Sequence, residues 1–340
     1  MSGTVVISAR GFIAEDLVRG LRGTAWYVAY GAALLLSLVA AFVLSVFEGF
    51  SSGHLPGLAF SGAIFVVLGL GVAVLPLLAG AALAGPAPGR PNESPAHPAG
   101  SNPTRRVFGT WVARWVLASG LLVAASPVLV VSAVVGGTSF PTFVTAVLAC
   151  LVETGLVAAI CVGLSGVTTS RVGAVLLSFA AVALLTVGTA IAAPLTGSVG
   201  DVTETVTTVS SEYDEASETV VCLDPTTVTT TTATALPNWV ALVVNPFVLV
   251  ADVTARDTAE FGQPRDGFGT VAKDVRQAQS PQPIARVDDE CGDNAVTALP
   301  QQPIESWGAP VWYVGLGVQL VVAAAALLAG IAAMRRRERA

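Results

Sequence analysis

Two places in this sequence hold residues that could do chemistry in an apolar setting. The first is GLSGVTTSR, 163–171, which closes a long apolar run with a serine between glycines. Such a serine becomes a nucleophile only if a base takes its proton, and histidine is the usual base. The two histidines, His54 and His97, both lie in connections outside the apolar runs. Ser165 therefore reads as part of a helix end, where Gly163 and Gly166 let the chain turn and Arg171 pins the returning helix. The second place is Glu153, the one acidic residue well inside an apolar run. An ionised carboxylate at the centre of a bilayer costs at least about 2.5–3.5 kcal/mol, so Glu153 must face other helices and be paired or protonated. A proton or substrate relay is one reading, and an interhelical hydrogen bond with a Ser, Thr or terminal Arg is the simpler one.

Other chemistries lack their residues. The single lysine, Lys273, stands in GTVAKDV, without the G-x-x-x-x-G-K-[ST] loop that cradles nucleotide phosphates. There is no H-E-x-x-H and no Cys/His set at metal spacing. No catalytic, cofactor-binding or metal-binding residue is expected, and with a net charge of −6 nucleic acid is not an expected partner. Any work done across a membrane must draw energy from a partner or a gradient. Cys150 and Cys161 share one apolar run, 11 residues or about 16 Å apart along a helix, beyond the reach of a disulfide. Cys222 and Cys291 fall in a polar segment where oxidation is permitted, and a bridge there would add about 2–4 kcal/mol.

These residues are carried by an unusually apolar chain. Hydrophobic residues make up 53% of it and charged ones 12%, against about 25% charged in soluble domains. Six runs reach the roughly 20 residues needed to cross a bilayer as a helix: 26–47, 58–84, 111–135, 143–164, 172–193 and 311–334. The first run is too long for a signal peptide and is expected to stay as an anchor. Twelve of the 17 basic residues fall in the N-terminal stretch, the second and fourth connections and the tail. The positive-inside rule then places both termini in the cytosol. Before the first run, Ile13, Leu17 and Leu21 recur every four residues among Glu15, Asp16, Arg19 and Arg22, the pattern of an interfacial amphipathic helix. Trp26 and Tyr27 would anchor it.

The segment 196–308 differs in kind, with seventeen acidic residues against five basic. Its first part alternates β-branched and polar residues, predicting two strands around SSEYDEAS and a Thr-rich extended stretch. The run NWVALVVNPFVLVADV is too short to cross and is broken by Asn245 and Pro246, so an interfacial or re-entrant piece is expected. Phe268, Val271 and Val275 predict a short amphipathic helix. The expected organisation is 1–195, an amphipathic helix and five spans; 196–308, a small mixed α/β acidic extracytoplasmic domain; and 309–340, the sixth span and a basic tail. The fold class is an all-α polytopic membrane protein.

Three stretches carry a resemblance. GTWVARWVLASGLLVAASPVLVVSAVVGG is similar to the third span of ABC-2 type permeases, the membrane subunits of ABC exporters. LVETGLVAAICVGLSGVTTSRVGAVLLSFAAVALLTVGT is similar to that family's fourth and fifth spans with their short turn. NWVALVVNPFVLVAD resembles the W…NPF element ahead of its sixth span. The order of features fits along nearly the whole chain. The departure is GPAPGRPNESPAHPAG, which stands where the family carries an acidic helix thought to touch its ATPase. The resemblance implies a separate ATP-binding subunit that holds ATP and Mg, a pair of permeases in the plasma membrane, and no ATPase in this chain. It makes Arg105, Arg106 and Arg171 expected contacts on the cytosolic face. A membrane-anchored receptor or scaffold with an acidic ligand-binding domain is the alternative.

Overall fold

The computed structural model describes residues 13–14, 17–18, 20–50, 57–84, 102–214, 219–256, 264–279, 284–289, 297–298 and 309–339. In chain order the elements are α1 (Thr24–Phe50), α2 (Leu58–Ala79), α3 (Pro103–Val135), α4 (Phe140–Val167) and α5 (Arg171–Leu195). Then come β1 (Ser198–Val209), β2 (Ser211–Asp214), β3 (Thr219–Cys222) and β4 (Thr226–Leu236). Three short helices follow, α6 (Trp239–Val243), α7 (Pro246–Thr254) and α8 (Gly267–Gln279), with β5 (Ile284–Asp289), β6 (Thr297–Ala298) and the last helix α9 (Trp312–Arg339).

Six of these helices, α1 to α5 and α9, are long and apolar enough to cross a membrane, and the chain is a multi-pass membrane protein. They coincide with the six apolar runs, but their ends are set by capping chemistry rather than by hydropathy. α3 starts at Pro103, well before its apolar run, because the Asn102 side chain accepts from Thr104 N at 3.0 Å and proline suits the first helical position. The turn into α4 needs Gly137, which has φ +60° and whose Cβ would lie 2.8 Å from the Arg265 guanidinium. Ser139 and Ser170 then cap α4 and α5 through Thr142 N and Gly173 N. Within the spans, hydroxyls return to their own helix, as Thr154 does to Cys150 O and Thr186 to Val182 O.

α4 is the central helix. Of its apolar window 72% is buried, against 17% for α1, whose Val28, Leu35 and Phe42 point outward as lipid-facing residues would. On one side α3 grips α4 through two indoles: Trp111 Nε1 donates to Gly155 O and Trp115 Nε1 to Leu151 O, both at 2.8 Å. On the other side α9 touches the α4 backbone directly. A Cβ on Gly163 would lie 2.4 Å from Ala326 C, and one on Gly166 would lie 2.9 Å from Gly330 Cα. The two glycines of GLSG are thus a small-residue packing surface, matched by Gly330 across the contact.

The described parts of 13–21 are helical. Leu17 packs on the core, while Leu21 is exposed. Of the expected aromatic pair, Tyr27 faces outward and Trp26 is buried in the core instead. The rest of the amphipathic helix and the Pro-rich connection lie outside the described residues.

In the segment after α5, β1 pairs antiparallel with β4 and parallel with β5, giving the order β4-β1-β5-β6. The two strands expected around SSEYDEAS are the β2–β3 hairpin. The Thr-rich stretch is β4, an edge strand, and its Thr227 and Thr229 hydroxyls meet those of Thr207 and Thr205 on β1.

The glycine contact yields a direct test. Gly163→Val in detergent-solubilised protein is expected to lower stability by about 1–3 kcal/mol or more, because backbone rather than a movable side chain blocks the new group. Gly317→Ala, where an added Cβ meets nothing within 4 Å, is expected to leave the thermal midpoint unchanged or raised.

Candidate functional site

The apolar run 239–254 folds as two short helices, α6 and α7, with a break at Val244 and Asn245. The break follows from the residues. Proline cannot donate into a preceding helix, and Asn245 caps the new one by accepting from Phe247 N at 3.0 Å. α7 is buried along almost its whole length, with Pro246, Val248, Leu249, Val250, Ala251, Asp252 and Thr254 all inside. The run expected as an interfacial or re-entrant piece is buried against the long helices along α7. Non-helical backbone among membrane helices is tolerated only where protein satisfies it.

Three polar side chains supply that satisfaction. Asn245 Nδ2 donates to Thr186 O at 2.8 Å and Thr189 Oγ1 at 2.9 Å. Thr186 lies in a π-helical turn of α5, Leu184–Gly188, where the wider turn leaves a carbonyl for an outside donor. Gln319 Nε2 on α9 donates to Val244 O at 3.0 Å, on the other strand of the break. Asp252, 2% exposed on α7, gathers the rest: Arg276 Nε of α8 at 2.6 Å, and the Val311 and Trp312 amides that begin α9, at 2.7 and 2.8 Å. The Asp252 carboxylate thus cancels a buried guanidinium and caps the last span at once. Phe268 of α8 is fully buried against Phe60 and Phe65 of α2, and Gly267 N donates to Ser61 Oγ.

Glu153 sits on α4, thirteen residues or about 20 Å from the start of the helix and fully buried. The expected hydrogen bond to a Ser, Thr or Arg is not what it makes. Neither carboxyl oxygen has a partner within hydrogen-bonding distance, and the polar side chain nearest to engaging it is Gln319.

Ser165 is fully buried, with Oγ donating to Val162 O at 2.7 Å and accepting from Leu83 N at 3.3 Å. That hydroxyl holds the chain leaving α2 and is occupied structurally. Cys150 and Cys161 are free thiols buried in α4. Cys222 ends β3, while Cys291 lies outside the described residues, as do both histidines.

The basic residues of α3, of the start of α5 and of the tail lie at one end of the bundle, where α3 and α5 begin and α4 and α9 finish. Arg105 is exposed, Arg171 is exposed at the first position of α5, and Arg106 pairs with Glu338 at 3.8 Å. Arg335 reaches Thr104 Oγ1, and Arg337 donates to Val167 O at 2.7 Å, closing the α4 C-terminus. The sequence reading marked Asn245 only as a break in the run and missed Asp252, Gln319 and Arg276. The signals available were an acid inside VLVADV and an Asn-Pro pair inside an apolar run. Among the described residues no group of three His, Cys, Asp or Glu side chains could hold a metal ion. Comparison with family models, curated proteins and solved structures gives no match for this chain.

Asp252→Ala strands Arg276 and uncaps α9, and is expected to cost about 3–5 kcal/mol in thermal or denaturant unfolding. Adding Arg276→Met should recover part of that loss. Ser165→Ala is expected to cost only about 0.5–1.5 kcal/mol, which the same measurement checks.

Proposed function

We propose that the chain is the membrane subunit of an ABC-2 type exporter, driven by a separate ATP-binding subunit. The observation that supports this best is the buried α6–α7 pair held between α5 and α9. It occupies the place of the NPF element in the resemblance and ties the segment after the fifth span into the transport helices. In this reading both termini and the Arg-rich end face the cytosol, the sheet and α8 face outward, and two such subunits form the pathway in the plasma membrane. The ATPase would bind at the basic end, where Arg105 and Arg171 are exposed. Arg106, turned toward Glu338, would act within the chain by joining α3 to the tail. The acidic charge of the segment 196–308 favours the second reading, a membrane-anchored receptor or scaffold for a cationic ligand.

Purification from native membranes separates the two. The permease reading expects a soluble protein with Walker motifs to copurify in stoichiometric amount, and expects Arg105→Glu to lower its recovery several-fold. Recovery of no ATPase, together with no export defect on deletion, would overturn it. The Cys222–Cys291 bridge belongs to the same proposal. Non-reducing peptide mapping should find the pair linked, and Cys291→Ser should cost about 2–4 kcal/mol.

A further inference from the structure

The bundle interior holds a continuous polar seam that the permease reading does not use. It begins at Glu153 on α4, passes to Gln319 on α9 and Val244 O at the α6–α7 break, and continues through Asn245 to Thr186 and Thr189 in and beside the π turn of α5. Asn245 spends both of its N–H groups and Gln319 spends one on Val244 O, and acceptors remain. Gln319 is 1% exposed and its amide nitrogen serves Val244 O, which leaves Oε1 without a donor. Both oxygens of Glu153, itself 0% exposed, are also without one. Unsatisfied acceptors are rare in protein interiors, and a cluster that includes a carboxyl is short of positive charge.

The groups around Glu153 do not supply that charge. From α4 itself the neighbouring titratable group is Cys150, one turn back, a neutral thiol or a further anion. From α9 it meets Gln319, which is uncharged. From α3 the two indoles that pass on either side are spent on Leu151 O and Gly155 O. From α2, Gly71 approaches the methyl of Thr154. α7 uses its one acid, Asp252, on Arg276 and the start of α9, and α5 meets α4 with the Ser178 hydroxyl at Cys161 O. No Lys, Arg or second carboxyl among the described residues acts on Glu153.

We propose that Glu153 and Gln319 form a binding site for one monovalent cation, H+ or Na+, between α4 and α9. The two sources share one chemistry, a single positive charge that neutralises the carboxyl and gives the stranded oxygens a partner. A proton turns one Glu153 oxygen into a donor for the neighbouring amide oxygen. A sodium ion is coordinated by the same oxygens. When the site is empty the buried carboxylate faces only the uncharged Gln319 amide, whose nitrogen also serves Val244 O, so the α6–α7 break and the carboxylate share one side chain. Occupancy thereby reaches the π turn of α5 along hydrogen bonds already in place. The inference goes beyond the proposed function and stands whether or not an ATP-binding partner exists.

The full-length protein in lipid nanodiscs tests it without any ligand but the ion. At neutral pH in choline chloride, infrared spectroscopy with 13C-glutamate labelling is expected to show one protonated glutamic acid carbonyl, absent in Glu153→Gln and retained, shifted, in Glu153→Asp. That result assigns the proton. If the band is instead missing in choline, a saturable rise of the thermal midpoint with NaCl but not choline chloride, lost in Glu153→Gln, assigns sodium. Should the Gln variant fail to fold, the glutamate-specific label and the salt titration of the unaltered protein decide by themselves. No protonated glutamate band together with no sodium-dependent shift overturns the proposal.

Discussion

The Asp252 carboxylate is the constraint on which the arrangement of the second half of the chain depends. One side chain on α7 accepts from a guanidinium on α8 and from the Val311 and Trp312 amides at the start of α9; Asp252, Arg276 and Val311 are buried and Trp312 is half-buried. Each partner alone would be costly to bury. A lone Arg276 carries uncompensated charge, and the start of a span leaves amides that no residue of its own helix can accept. Brought together, they fix the entry of α9 beside α7, which places Gln319 against Val244 O seven residues later. The last span is therefore positioned from the segment that precedes it and not by apolar packing alone.

α6 and α7 extend the same logic. A helix interrupted inside a packed bundle must return every freed polar group to protein, and here Asn245 does so in both directions. Its oxygen caps α7 while its nitrogen fills the gap left by the π turn in α5. Two departures from regular helix thus satisfy one another. The Phe cluster around Phe268 then seals α8 over the same region, so the helical part of the segment 196–308 belongs to the bundle core.

What could be read from the sequence follows from how far each signal reaches along the chain. The six spans were legible because each is an uninterrupted apolar run, and α8 was legible from Phe268 and Val275 on one face. The start of α3 was not, because the Asn102-Pro103 cap outweighs polar residues that hydropathy counts against a helix. Asp252 pairs with Arg276 across 24 residues and with Trp312 across 60, through connections with no period, so no local pattern joins them. GLSG was the most misleading stretch. Its small residues suggest a helix end where the chain turns, yet the glycines lie within α4 and serve a neighbour more than 160 residues away. Burial of Glu153 followed from its place in a run, whereas its meeting with Gln319 depended on how α9 rotates about its axis.

Backbone-to-backbone packing of Gly163 and Gly166 on Gly330 also has a mechanical meaning. Interlocked side chains resist both separation and sliding, because each knob sits in a hole. Where glycine faces glycine the surface is smooth, and close approach maximises dispersion without a tooth to climb over. Such a seam holds two rods together and leaves their axial register governed by the contacts at either end. In this bundle Arg337 at Val167 O supplies one such contact, where α4 ends. The pair α4 and α9 therefore meets backbone to backbone at its glycines while Leu327, Ile331 and Met334 still carry side chains into the shared core.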